Sequence, residues 1–223
     1  MDKKKIVAVV ATKRKNGLVS TLASKVLEGA ASNGHDTELI NLYDYKMDYC
    51  IGCWACEKKG CCVLKDDFNA IFEKVKASDA LILAAPVYWS NVPGIMKTFF
   101  DRQCGSVISH GGNGKVILGI RLPLGFGPRE GVAGKKAVFV SACTAPWPYT
   151  MIIDESKGAI RALRNYTRKI GADIVAKLVY TDSRFKNVKG KKERYEKKAY
   201  AIGEKLFSDA NVSYGSVRIN NDL

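Results

Sequence analysis

The feature that most constrains this chain is a regular alternation of short apolar, β-branched runs with helical periodicities. Lys5–Ala11 (KIVAVVA), Thr37–Leu42 (TELINL), Asp79–Ala85 (DALILAA), Lys136–Ala142 (KAVFVSA) and Asp173–Tyr180 read as five strands. Between and after them, Leu18–Ser32, Asp66–Ala77, Pro93 to about Gln103, Glu155–Ile170 and Lys191–Ser208 carry apolar residues at helical spacing. Asp66 and Asp67 suit the N-terminus of the second helix, and Gly171 ends the fourth. Strict β–α alternation implies a parallel sheet wrapped by helices, and Asp79–Ala85, with no polar alternation, belongs at its centre. The expected fold is therefore α/β, a five-stranded parallel sheet with helices on both faces. A length of 223 residues suits a single domain over 1–223. Two segments break the rhythm: a cysteine-rich loop at 43–65, and a glycine-rich insertion at 104–134 with nine glycines and no period. A lid, an oligomer arm or an extra hairpin would each fit the insertion.

In an open parallel sheet, ligands gather beyond the carboxyl ends of the strands, at the switch in strand order. TKRKNG, the cysteine loop, PVYWSN and CTAPWP all leave such ends. Thr12–Ser20 joins a strand to a helix N-terminus, where unpaired N–H groups favour an anion. Thr12 offers a hydroxyl, Arg14 a forked cation and Gly17 room for close backbone approach. Neither the Walker pattern nor G-x-G-x-x-G is present, so a nucleoside triphosphate is not expected. Tyr88 and Trp89 at the exit of the central strand could border a flat heterocycle, with Ser90 and Asn91 at its edge; core aromatics under a loop are the plainer reading.

Five of the seven cysteines lie between Cys50 and Cys62, too crowded for a disulfide framework. The run is Cys50-x2-Cys53-x2-Cys56-x5-Cys62, with Cys61 adjacent. Three thiols at three-residue intervals let one loop curl around a compact iron–sulfur cluster; zinc and a metal-free redox C-x-x-C are the alternatives. Cys104 and Cys143 are isolated in the sequence and read as small buried hydrophobes. His35 and His110 read as structural or solvent-facing, and no Cys–His or Ser–His–Asp triad is indicated.

With those residues assembled, the chain resembles the flavodoxin-fold NAD(P)H-dependent FMN reductases and iron–sulfur flavoproteins, which implies the flavodoxin-like strand order 2-1-3-4-5 for the sheet. The matching stretches are RKNG, CIGCWACEKKGCC, DDF, PVYWSNVPGIMKTFFDR and SACTAPWP, in the family's order over about the first 150 residues. The resemblance implies FMN, its phosphate on Thr12, Arg14 and the turn formed by Asn16, Gly17, Leu18, Val19 and Ser20. It places the isoalloxazine ring against Pro86, Val87, Tyr88, Trp89, Ser90 and Asn91, and against Thr144, Ala145 and Trp147. It assigns a 4Fe-4S cluster to Cys50, Cys53, Cys56 and Cys62, with NAD(P)H as an electron donor and a dimer or tetramer as the assembly. Relatives read S-P-R-x-x-x-N-T in the first loop; here Lys13 stands for the proline and Leu18-Val19 for Asn-Thr, leaving Ser20 or Thr21 to supply the hydroxyl. Cys61 beside Cys62 leaves the fourth ligand ambiguous by one residue.

The function this implies is electron transfer through FMN and a cluster. The alternatives are an NAD(P)H-dependent FMN or quinone reductase without a cluster, and, in another class, a basic binding protein on a degenerate flavodoxin scaffold. Net charge is +14, concentrated in KNVKGKKERYEKKAY. That stretch reads first as a solvated helix face and second as a steering surface for an acidic redox partner such as a ferredoxin. Nucleic acid is not indicated, because no recognition module accompanies the charge. No apolar run is long enough for a membrane span, and the N-terminal apolar stretch is a first strand rather than a signal peptide, which points to the cytoplasm.

Overall fold

The computed structural model describes residues 2–110, 115–118, 120–122, 126–129, 132–146, 149–150, 155–184 and 190–208. Nine strands are described: β1 (Lys5–Val10), β2 (Asp36–Asn41), β3 (Ala80–Pro86), β4 (Ile108–His110), β5 (Lys115–Ile117), β6 (Ile120–Leu122), β7 (Phe126–Pro128), β8 (Lys136–Ala142) and β9 (Asp173–Tyr180). The helices are α1 (Leu18–Ala31), α2 (Ala55–Lys59), α3 (Phe68–Lys76), α4 (Gly94–Asp101), α5 (Cys104–Val107), α6 (Lys157–Lys169) and α7 (Lys191–Glu204). The main sheet runs β2-β1-β3-β8-β9 with every pairing parallel, which in chain order is 2-1-3-4-5.

Alternation along the central strands sends side chains to two cores. Val7, Val9, Leu81, Leu83 and Phe139 pack with α3, α4 and α6 on one face. Ile6, Ala8, Val10, Ile82 and Val138 pack with α1 and α7 on the other. Both faces of β1 and β3 are buried, which is why they read as unbroken apolar runs. The described residues of the insertion form two short antiparallel ladders, β4 with β7 and β5 with β6.

The cysteine segment differs from the irregular loop that its sequence suggests. Ala55–Lys59 (ACEKK) makes one helical turn because its residues are good helix formers. Trp54 enters that turn with a left-handed φ of 56°, and Gly60 ends it with a φ of 71°. Among the described residues, no helix is long and apolar enough to cross a membrane.

Candidate functional site

The three loops expected to meet do leave adjacent strands at one edge. Val10 of β1 lies beside Ala84 of β3, and Pro86 of β3 beside Ala142 of β8. In the first loop, Thr12 is buried and its Oγ1 accepts the Arg14 N–H, while its carbonyl accepts the Asn41 amide at 2.8 Å. The Gly17 N–H returns to the Arg14 carbonyl at 2.8 Å. A Cβ on Gly17 would stand 2.8 Å from the Arg14 Cβ, so the turn itself demands glycine, independently of any ligand. α1 has no side-chain cap and no acidic residue in its first turn, leaving its leading N–H groups to an anion. Lys15 pairs with Asp44 at 2.7 Å and Lys13 lies over the Tyr43 ring, whereas Arg14 is exposed and has no ion pair among the described residues. Asn16 is exposed, Gly17 and Leu18 are half-buried, and Val19 and Ser20 are buried.

In the second loop, Pro86 ends β3 and the Val87 N–H donates to the Ala142 carbonyl. Tyr88 and Asn91 exchange both backbone hydrogen bonds, at 2.8 and 3.0 Å. Trp89 (φ 49°) and Ser90 (φ 57°) are consecutive left-handed residues, the arrangement of a tight I′-type hairpin turn usually given to Asn-Gly. Holding two non-glycine residues this way costs backbone energy, and it leaves the Trp89 side chain fully exposed. In the third loop, Thr144 is exposed and Ala145 buried, its carbonyl taken by the Asp182 N–H. Trp147 lies outside the described residues. Burial pushes the Tyr43 hydroxyl upward, and neighbouring Tyr88 adds to it, so the turn after β2 also reaches this edge.

A second cluster lies in the segment between β2 and α3. Cys50, Cys53, Cys56 and Cys62 line one small cavity of about 20 Å³ together with Ile51, Trp54 and Arg102. Cys61 does not line that cavity; it is exposed. Cys62 is fixed at three atoms: its N–H and C=O bond the Asn69 side chain at 3.0 and 2.8 Å, and its Sγ accepts the Arg102 Nε–H at 3.1 Å. Arg102 is buried and grips Asp66 through two hydrogen bonds, at 2.7 and 2.9 Å. Burial raises the Asp66 carboxyl, but hydrogen bonds from Arg102, Asp48 N and Phe68 N outweigh it and hold the group below the usual carboxylate range. The acidic pair therefore does more than start α3: Asp66 takes the Asp48 N–H and Asp67 the Lys46 N–H, tying down the approach to the cysteines.

One tetrahedral ion with bonds of about 2.3 Å would draw its thiolates to within about 3.8 Å of one another. Among the described residues, no three His, Cys, Asp or Glu side chains are grouped to hold a metal ion. Four thiols lining one cavity make an all-sulfur donor set, the ligand chemistry that iron–sulfur clusters use.

Three contributors escaped the sequence reading. Arg102 was visible only as the end of a motif, although an arginine within an aromatic helix is a recognisable oddity. Arg129 of the insertion donates to the Glu57 carbonyl at 2.5 Å, bracing α2 from the far side. Cys104, expected to be isolated, is half-buried beside the cysteine loop; burial raises its thiol, Lys169 lowers it, and Cys56 and Cys50 raise it further. Cys143 is a small buried hydrophobe as expected, its thiol pushed up by burial to about 11. His35 is buried, its Nδ1 accepting the Lys4 N–H at 3.4 Å.

An iron–sulfur flavoprotein of Archaeoglobus fulgidus is 36% identical over 124 residues, 50% of this chain and 56% of that protein. One from Methanocaldococcus jannaschii is 35% identical over 99 residues, 44% of this chain and 51% of its own. The chain thus spans about half the length of the curated relatives it matches. A NAD(P)H:quinone oxidoreductase from Methanothermobacter marburgensis superposes with a TM-score of 0.66 at 17% identity, covering 92% of this chain and 97% of the other, a likeness of fold. Residues 4–146, which hold the first two strand-end loops, the cysteine cavity and the start of the third loop, match the NADPH-dependent FMN reductase family, and the chain belongs to it.

Proposed function

We propose that this protein is a flavin-dependent oxidoreductase that passes electrons between a reduced donor and an acceptor through FMN and a 4Fe-4S cluster. The observation that carries the reading is the convergence of four thiols on one cavity, in the segment that follows the carboxyl end of β2. FMN would sit with its phosphate at the head of α1, near Thr12, Arg14 and the Asn16–Ser20 turn, and its ring along Pro86–Asn91 and the loop from Thr144 to Trp147. Cys50, Cys53, Cys56 and Cys62 would hold the cluster. When bound, FMN exchanges electrons in pairs or singly and the cluster exchanges one at a time. NADPH is the donor that the family name suggests.

We assign this chemistry to a single domain, to the cytoplasm, where the seven free thiols stay reduced, and to a homodimer or tetramer. Exposed Tyr88 and Trp89, with Tyr49, Ile51 and Trp54, support an assembly that covers this edge. The test is anaerobic purification followed by iron, acid-labile sulfide and flavin analysis with a visible spectrum. The reading expects about four irons per chain, flavin, and a broad charge-transfer shoulder. Flavin without iron or sulfide would overturn it.

That result would support a second reading, an NAD(P)H-dependent FMN or quinone reductase without a cluster. A groove of about 380 Å³, bordered by Asn91, Phe100, Cys104, Arg161 and Tyr166, favours it by offering acceptor space next to the loop that carries Asn91.

A further inference from the structure

Arg102 follows α4 at the heart of the cysteine region, with none of its side chain exposed. A buried guanidinium must use its donors, and the partners of this one are nearly all accounted for. Its Nη1 and Nη2 hold the two Asp66 oxygens, Nη1 also reaches the Asp48 carbonyl at 2.7 Å, and the plane lies 4.6 Å from the Phe68 ring centre. The remaining Nε–H is thereby fixed in direction, and it points at the Cys62 sulfur at 3.1 Å. An ion pair serving only to join two segments would need no sulfur. Among the described residues, Cys50, Cys53 and Cys56 show no comparable donor, so the contact is specific to one of the four thiols that line the cavity.

A sulfur that ligates iron carries much of the cluster's negative charge, and adding an electron increases it. A cationic N–H donor therefore stabilises the reduced form more than the oxidised one. Asp66 faces the opposite side of the guanidinium, so the pair presents its positive end to the sulfur. We propose that Arg102 is a positioning residue that fixes the Cys62 sulfur and raises the potential of the cluster's one-electron reduction. The couple adds one electron and transfers no proton. This rests on the cluster reading above.

The test compares the anaerobically prepared holoprotein with two variants in a dithionite titration followed by visible absorbance and electron paramagnetic resonance. Arg102→Lys keeps a cation beside Asp66 but loses the planar fork. The double variant Asp66→Asn/Arg102→Met removes both charges together, so neither is left buried alone. Both are expected to retain iron, sulfide and flavin. In the double variant the reduced-to-oxidised ratio at the wild-type midpoint should fall about tenfold, a downward shift of about 59 mV for one electron; Arg102→Lys should shift less in the same direction. Iron-replete variants with the wild-type potential would overturn the proposal, as would loss of iron from both, which would make Arg102 a folding element alone. A wild type without iron or sulfide would fail at the first assay and remove the cluster reading itself.

Discussion

The Cβ that Gly105 lacks would stand 2.7 Å from the Sγ of Cys56 and 2.7 Å from the Glu57 N. Two short helices, α2 with the central cysteine and α5 after Arg102, touch there with no room for a methyl group. Gly105→Ala must push α2 away from α5 and carry the Cys56 sulfur with it. The expected outcome is about a tenfold loss of cluster affinity with flavin content unchanged, measured as iron and FMN per chain. Full iron occupancy in Gly105→Ala would show that Cys56 can move without leaving a ligand set.

The same cavity decides between adjacent thiols. Cys62 lines it and is held by Asn69 and Arg102, while Cys61 does not line it. Cys62→Ala should abolish or strongly reduce bound iron, as should Cys50→Ala, Cys53→Ala and Cys56→Ala, each leaving flavin largely in place. Cys61→Ala should keep its iron. An inverted result for Cys61 and Cys62 would place the ligand on the exposed residue.

Arg14 is the exposed cation of the first turn that has no partner among the described residues, beside an uncapped helix N-terminus. Arg14→Ala should weaken FMN more than riboflavin, because only FMN presents the anion. A charge-assisted hydrogen bond contributes about 1.5–3 kcal/mol, so the loss for FMN should be about tenfold or more in Kd. Titration of both flavins against the variant checks this; equal losses would put the phosphate elsewhere.

Asp66 makes the acid limb of stability predictable. Its carboxyl is held below its ordinary 3.8, so it contributes stability that is fully present above that value and is lost as pH falls through the folded pKa. Asp66→Asn leaves Arg102 buried without a counter-charge and should cost about 3–5 kcal/mol at neutral pH. It should also flatten the fall in stability below pH 3.8. Denaturant melts across an acid series test both statements. An unchanged acid limb would mean that this carboxyl does not govern it.

How much of this was legible beforehand follows from where the information sits. The strands announced themselves because β1 and β3 are buried on both faces, which forces continuous apolar runs, and Lys136–Ala142 and Asp173–Tyr180 match their sequence ranges. The four thiols were legible because their spacing is local. Arg102, Arg129 and Gly105 were not, because each acts through a contact that tertiary folding creates: Arg102 meets Cys62 forty positions away. Cys104 looked isolated for the same reason. The turn at Trp89 and Ser90 was hidden by its residues, since neither is a usual choice for a left-handed φ and only the surrounding sheet holds them there.

The basic segment is the last element whose role a measurement can decide. α7 begins beside the carboxyl edge of the sheet, where the Lys191 Nζ donates to the Thr181 carbonyl at 2.9 Å and lies over the Tyr180 ring. Lys191 is thus anchored, and burial lowers its pKa, so it is a poor test of a surface field. Arg194 and Lys197 are exposed and point the helix's charge outward. Complementary charge raises the rate of encounter more than affinity, and an acidic redox partner such as a ferredoxin would be drawn toward the edge where the proposed cofactors would sit. If the field steers, the second-order rate of reduction by an acidic ferredoxin should fall steeply with ionic strength. It should also drop when Arg194 and Lys197 are replaced by Gln, with the flavin spectrum unchanged. A rate indifferent to salt and to both substitutions would leave α7 a solvated face with no part in electron transfer.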